Sequence, residues 1–425
     1  MSGKILRGSK RTDYALDALN FFLADVRGGL GPYLAVYLLT VRNWNEAEIG
    51  LVMSIAAIAG MVTQTPAGIL TDAIRAKRAM VVSAALITTL GSLVPPLLST
   101  FLAVAVSQAA VSAVSSIFGP AIAAISLGIV GHGRFAYRTG RNEAFNHAGN
   151  AFAAIVAGGA AYWWGPSVVF VLIAAMAIAS LASALAVPAD AIDHDRARGL
   201  HDGAAAGEGP PSAISVLLTC RPLLLFAASV LLFHFANAAM LPLVGQKLAL
   251  QDRNFGTSLM SACIVAAQIV MVPMAILTGR KANHWGRKPL FLAGFLILPL
   301  RGMLYTFSDD PYWLLAVQLL DGVGAGLYGA LFPLVVADLM EGTGHFNTAL
   351  GAVITAQGIG ASLSTSVAEF VAGYAGYTAA FLTLAAIAGA ALILFWAAVP
   401  ETWQPDVKLG AGQAAGERDV AQAVK

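Results

Sequence analysis

Gly68-Ile69-Leu70-Thr71-Asp72-Ala73-Ile74-Arg75-Ala76-Lys77-Arg78 closes one apolar run and opens the next. A second stretch, Gly279-Arg280-Lys281-Ala282-Asn283-His284-Trp285-Gly286-Arg287-Lys288, does the same in the other half of the chain. The two glycines lie 279 − 68 = 211 residues apart. Two further landmarks share nearly that offset: Pro32 with Pro242, and Gln108 with Gln318, each separated by 210 (242 − 32; 318 − 108). One coincidence of this kind is unremarkable, but three in corresponding apolar runs argue for a six-plus-six parallel repeat.

Composition sets the solvent. Of 425 residues, 58% are hydrophobic and 11% charged, against roughly 25% charged in an average soluble domain. A mean hydropathy of +0.74 makes lipid that solvent. The formal net charge of +2 gives no basic excess of the kind that nucleic acid needs. Cys220 and Cys263 are too few for a disulfide framework and read as small apolar filler. No metal cluster, nucleophile arrangement or phosphate-binding loop is visible, so neither a cofactor nor an enzymatic step is expected.

Apolar runs recur at about 14–39, 49–70, 79–98, 101–127, 144–164 and 168–187, then at 223–248, 258–277, 290–307, 313–339, 349–372 and 379–399. Each approaches or exceeds the roughly 20 residues that cross a bilayer as helix, and none alternates as a membrane β-strand does. The expected fold is therefore an all-α membrane protein with twelve transmembrane helices in two pseudo-symmetric six-helix bundles. Residues 1–187 form the first bundle, 188–212 a linker, 213–402 the second bundle and 403–425 a disordered tail. Placing both termini and the linker on one side collects twenty Lys and Arg there and three on the other. The positive-inside rule then makes that side cytoplasmic and the protein a multi-pass inner-membrane protein.

With these residues in view the chain resembles the major facilitator superfamily, whose loop between helices 2 and 3 reads G-x-x-x-D-R/K-x-G-R/K-R/K, with a degenerate copy between helices 8 and 9. The first copy keeps Gly68 and Asp72, has Arg75 at the inner glycine position, and ends in Lys77 and Arg78. The second keeps Gly286, Arg287 and Lys288 and has Asn283 in place of the acid. The resemblance implies a secondary active transporter working by alternating access, with Asp72 meeting the start of helix 11 near 347–349 to lock the cytoplasmic side. Pro400, Glu401 and Thr402 resemble the P-E-T that follows helix 12 in sugar porters. Gly324, Gly326 and Gly329 spell a dinucleotide fingerprint, but inside an apolar run they read as close helix packing.

Ionisable side chains at bilayer depth cost about 2.5–3.5 kcal/mol on insertion scales, so they mark the function. Asp25 and Arg27 fall near the middle of span 1, two residues apart and hence on different helix faces. Asp25 is the candidate proton-coupling carboxylate, and Arg27 is either an anion ligand or the partner of an acid. His234, Arg301, Asp321 and Glu369 form the second set, the last three expected as one network in the outer half of the membrane. Gln108 and Gln318, with Gln64, Gln268 and Gln357, supply amides for a polar cargo or for helix pairing. The expected function is proton-coupled efflux of a small organic molecule. Proton-coupled import of organic anions is the alternative, and a transporter-like sensor that does not cycle is the reading from another class. Expected partners are the cargo, protons or another coupling ion, and lipid; nucleic acid is not among them, and the chain is read as monomeric.

Overall fold

The computed structural model describes residues 2–28, 31–200, 212–251 and 253–403. The expected tail from 404 onward and residues 201–211 of the expected linker lie outside these. So do the side chains of 1–9, 28–32 and 251–258, and with them the Pro32 landmark.

All regular elements among the described residues are helical. Span 1 consists of α1 (Ser2–Gly28) and α2 (Gly31–Thr40), span 2 of α3 (Glu46–Ala73), and span 3 of α4 (Lys77–Ser92) with the single-turn α5 (Val94–Leu97). Span 4 is α6 (Phe101–Ser115) and the first part of α7 (Phe118–Trp164). Gly131, at φ 67°, breaks α7, and the remainder is span 5. Span 6 is α8 (Val168–Ala186); two short 3-10 turns and α9 (Ala213–Thr219) follow. Span 7 is again split, into α10 (Arg221–Asn237) and α11 (Met240–Gln251). Spans 8, 9 and 10 are α12 (Arg253–Trp285), α13 (Arg287–Leu304) and α14 (Pro311–Leu339). Finally α15 (Phe346–Ala398) holds spans 11 and 12, joined at Gly376 with φ 86°. Both joints require the left-handed backbone that glycine adopts without a Cβ penalty.

Polar residues set several helix starts. Asn45 accepts from the Glu48 amide at 2.8 Å to open α3, and Asp310 accepts from the Tyr312 and Trp313 amides to open α14. Two apolar clusters hold the bundles. One gathers Leu16, Leu19, Phe118 and Phe170 of the first half; the other gathers Phe226, Phe291, Phe295 and Phe395 of the second. The second cluster also takes in Leu127 and Phe135 from the first half, and Phe135 meets Phe346 edge to face at 6.0 Å. The halves are thus apolarly sealed at the end that carries the linker.

Span 5 differs from expectation. Residues 132–143 were expected as loop, but they are helical and follow Gly131 directly. Arg138, 1% exposed, and Arg141 depress local hydropathy, yet both are neutralised from α1, so the helix tolerates them. Of the glycines expected to pack closely in span 10, Gly326 does, a Cβ there lying 2.8 Å from the Met271 carbonyl oxygen, as would one on Gly322 at 2.6 Å from that of Ala267; Cβ atoms on Gly324 and Gly329 would meet nothing nearer than 3.6 and 3.4 Å.

Candidate functional site

Two seams join the halves, α7 against α12 and α3 against α15. Small residues allow backbone contact along both: a Cβ on Gly68 would collide with the Asn347 carbonyl, one on Gly351 with that of Gln64, and one on Gly140 with Gly279. Thr65 and Thr355 share a hydroxyl hydrogen bond of 2.9 Å across the second seam. Across the first, His147 Nδ1 meets Gln268 Oε1 at 2.8 Å.

Between the seams lies a cavity of about 240 Å³, lined from the first half by Arg27, Thr139, Asn142 and Glu143 and from the second by Phe332 and Gln357. Arg27 and Ile354 also line an adjoining space of about 310 Å³ that reaches Gln64, Ser112 and Ser115. Together these match the size of small-molecule sites and carry the few convergent polar groups such sites use. Arg27 is half-buried and has no hydrogen-bond or ion-pair partner among the described residues. An unpaired guanidinium offers a planar fork of donors suited to a carboxylate or phosphate. Glu143 accepts from Asn146 Nδ2 at 3.3 Å and lies 3.8 Å from His147 Nε2, so the cavity acid adjoins the residue that bridges the halves.

Asp25 does not pair with Arg27, nor does it line the central cavity. Gln108 is buried in span 4 beside Ser107. His234 donates from Nδ1 toward the Val230 carbonyl at 3.1 Å and packs 4.9 Å from the Tyr328 ring. With Arg301 and Asp321 it lines a separate small cavity inside the second half. There Arg301 pairs with Asp321 and donates to Asn237 at 2.5 Å. Gln318 donates to Asp321 at 2.9 Å and accepts from the Tyr305 hydroxyl. The single expected network is therefore two. Glu369 stands apart and accepts from Gln246, which Tyr377 also reaches, because α11 interposes its own amide. Arg301 is thus held by Asp321.

The loop residues behave differently in the two copies. Asp72 accepts four hydrogen bonds at the start of α15: from the Asn347 amide (3.2 Å) and Nδ2 (2.8 Å), and from the Thr348 amide (2.8 Å) and hydroxyl (2.7 Å). Its charge faces the positive end of that helix. Lys77 Nζ donates to the carbonyls of Thr71 and Ile74 and so closes the C-terminus of α3; Arg78 caps α8 through the Val187 carbonyl at 3.0 Å. Arg75 is exposed. In the second copy Gly286 turns the chain at φ 85°. Arg287 pairs with Asp338 at 3.1 Å and lies 4.4 Å over the Trp403 ring. Glu401 accepts from the amides of Arg287 and Lys288 at 2.9 and 3.0 Å. Asn283 donates to the Gly133 carbonyl at 3.0 Å, across the seam.

The linker adds a strap. Ala197, fully buried, accepts from Asn347 Nδ2 at 2.9 Å, while the Asp193 amide donates to Gly128 and the Gly342 amide to Gly199. His194 in this strap has its imidazole pushed below the ordinary value by burial and by the nearby cations Lys77 and Arg75.

Sequence reasoning missed Glu143, His147 and the cluster around Asp17. Arg138 and Arg141 both bind Asp17, Arg138 reaches Asp13 at 3.3 Å and Asn142 at 2.9 Å, and Asn142 also accepts from Asn20 at 3.0 Å. The available signal was helical spacing: Asp13, Asp17 and Asn20 in span 1 face Arg138, Arg141 and Asn142 in span 5.

A family profile described as Major Facilitator Superfamily matches residues 16–300 and 231–421. Two uncharacterized MFS-type transporters of Mycobacterium tuberculosis, from strains CDC 1551 / Oshkosh and H37Rv, are each 54% identical to this chain over 409 residues, 96% of it and 98% of their own length. Among solved structures, the MFS transporter FucP in its outward conformation superposes with a TM-score of 0.71 at 16% identity, over 90% of this chain and 97% of that one. The proton:xylose symporter XylE does so with 0.67 at 14% identity, over 95% and 97%. A two-bundle helical arrangement around a polar cavity, its halves linked through Asp72, and a relative identical at more than half of its positions lead to one conclusion: the chain belongs to the major facilitator superfamily.

Proposed function

We propose that the protein is a proton-coupled secondary transporter that imports small organic molecules bearing an anionic group. The carrying observation is Arg27, which faces the cavity between the halves without a protein partner among the described residues. A half-buried cation left unpaired is costly and becomes favourable when the cargo supplies the counter-charge. Gln64 and Gln357 offer neutral hydrogen bonds beside it, and Phe332 is the aromatic of the main chamber. That lining favours the anion-import alternative over efflux, for which Asp25 in span 1 was the candidate coupling carboxylate.

Glu143 takes the coupling proton in this reading. It sits in the same chamber as Arg27 and adjoins His147, whose hydrogen bond to Gln268 ties span 5 to span 8. Protonating Glu143 removes a negative charge from the chamber as the anion enters, so proton and cargo favour each other's binding. The bundles 1–187 and 213–402 then rock about the cavity, joined by 188–212, in an inner membrane with both termini cytoplasmic. The chain works as a monomer and performs no covalent step.

Proteoliposomes test this. An outside-acid gradient is expected to drive uptake of small carboxylates, and Arg27→Gln to lower the uptake efficiency by about 100-fold, the weight of one or two charge-assisted hydrogen bonds. Uptake of a lipophilic cation driven by an inside-acid gradient, with none of carboxylate, would establish efflux instead. Saturable binding without counterflow under either gradient would establish the sensor.

A further inference from the structure

On the lipid-facing side of the α7–α12 seam, near the linker end, lies a groove unrelated to the central cavity. Its floor is apolar, made by Ala144, Phe145 and Ile276, and its rim carries Tyr137, Arg141 and Arg280. The volume is about 260 Å³. It opens beside the point where Gly140 and Gly279 bring the two helix backbones into contact. Ile276 and Tyr137 are 38% and 42% exposed.

The rim is arranged for an anion. Arg141 spends Nε and Nη2 on Asp17 and lies 5.7 Å over the Phe145 ring. Its Nη1 donates to the Tyr137 hydroxyl at 3.4 Å. That hydroxyl is then an acceptor on one side and has its own proton to donate outward. Asp17 and Asp13 balance Arg138 and Arg141, which leaves Arg280, exposed and without a partner among the described residues, as the uncompensated charge of the rim. Arg280, the Tyr137 hydroxyl and the apolar floor thus combine a phosphate-binding head with a hydrocarbon-binding trough. Basic pockets between transmembrane helices near the cytoplasmic surface recognise anionic headgroups on this chemistry.

We infer that this groove binds one anionic phospholipid, its phosphate on Arg280 and Tyr137 and an acyl chain along Phe145 and Ile276, so that the lipid bridges spans 5 and 8. The inference goes beyond the transport reading and does not depend on the cargo. A free phosphate would satisfy the rim but leave the trough uncovered, and the experiment separates the two sources.

The test uses the full-length chain, delipidated in detergent and titrated with phosphatidylglycerol, phosphatidylcholine or inorganic phosphate, with bound lipid read by native mass spectrometry. Phosphatidylglycerol is expected to bind saturably with a stoichiometry of one per chain, with phosphatidylcholine about tenfold weaker. Arg280→Gln should weaken phosphatidylglycerol by about tenfold, the value of one charge-assisted hydrogen bond, and Arg280→Lys should restore part of it. Tyr137→Phe should give a smaller loss. Arg280 is exposed, so its variants fold, and an unchanged helical circular dichroism spectrum serves as control. Equal affinity for the two lipids, or an Arg280→Gln variant that binds phosphatidylglycerol like wild type, overturns the inference. Inorganic phosphate that displaces phosphatidylglycerol at equal concentration also overturns it and marks a small-anion site.

Discussion

The two copies of the interhelical phrase read alike in sequence and have opposite use in structure. In the first, the acid reaches across the molecule: all four hydrogen bonds accepted by Asp72 come from the other half. In the second, the charges turn inward: Arg287 pairs with Asp338 and Glu401 caps α13, all within one half. Among the described residues, neutral Asn283 makes the one crossing hydrogen bond, to the Gly133 carbonyl. The first copy ties the two halves to each other, and the charges of the second tie elements of one half together. The lesson is that a duplicated motif need not be duplicated in function, because the strength of a link depends on what its far end belongs to.

The sharpest way to break this contrast is to remove Asp72. Asp72→Ala leaves the start of α15 without its acceptor and, at about 1.5–3 kcal/mol for hydrogen bonds to a charged group, shifts the balance between closed and open linker ends by about 100-fold. Spin labels placed across the α3–α15 seam would read the change as a broadened, longer distance distribution. Asp72→Asn keeps an acceptor and is expected to fall between. A distribution unchanged in both variants would show that the small-residue contacts at Gly68 and Gly351 close this end unaided.

Glu401→Gln is the matching change in the second copy. It weakens the cap of α13, which accepts two amides there and a third from Trp403 at 2.9 Å. The expected cost is about 1 kcal/mol of stability, visible as a lowered thermal midpoint. The distance distribution across the seams should stay as in wild type. Were Glu401→Gln to open the linker end as Asp72→Ala does, the distinction between crossing and internal links would fail.

The same contrast explains what could be read in advance. Twelve spans were legible because lipid demands long apolar runs, and Asp72 was legible because its spacing from Gly68 places it where a span ends. Arg27 was visible as a charge at bilayer depth, but its direction was not, since hydropathy records depth along a helix and not rotation about it. Rotation decides whether Arg27 or Asp25 meets the cavity. Glu143 was obscured for a different reason. It follows Arg138 and Arg141 in a stretch whose charge mimics a loop, and the carboxylates that neutralise those arginines, Asp17 and Asp13, lie more than a hundred residues away in sequence. Arg301 and Asp321 were expected to meet and do so; Glu369 was expected with them and binds Gln246, since a residue on α11 lies between in space though not in sequence.

The linker strap offers the mildest perturbation. It touches both halves at once, through Gly128 on one side and Asn347 and Gly342 on the other, so it should report on closure without determining it. His194 lies in this strap outside the spans, with its imidazole held below the ordinary value of 6.5 by burial and by Lys77 and Arg75. A depressed value means that the closed strap disfavours the protonated ring. The strap is therefore fully stable above pH 6.5, where the ring is neutral whether docked or free, and weakens as pH falls below that value toward the depressed one. His194→Gln should abolish this slope and leave closure at neutral pH unchanged. Amide hydrogen exchange over residues 189–200, measured on either side of pH 6.5 after correction for intrinsic rates, is the readout. Faster exchange at the lower pH in wild type, absent in the variant, is the expected result. An equal slope in both would place the titrating group elsewhere.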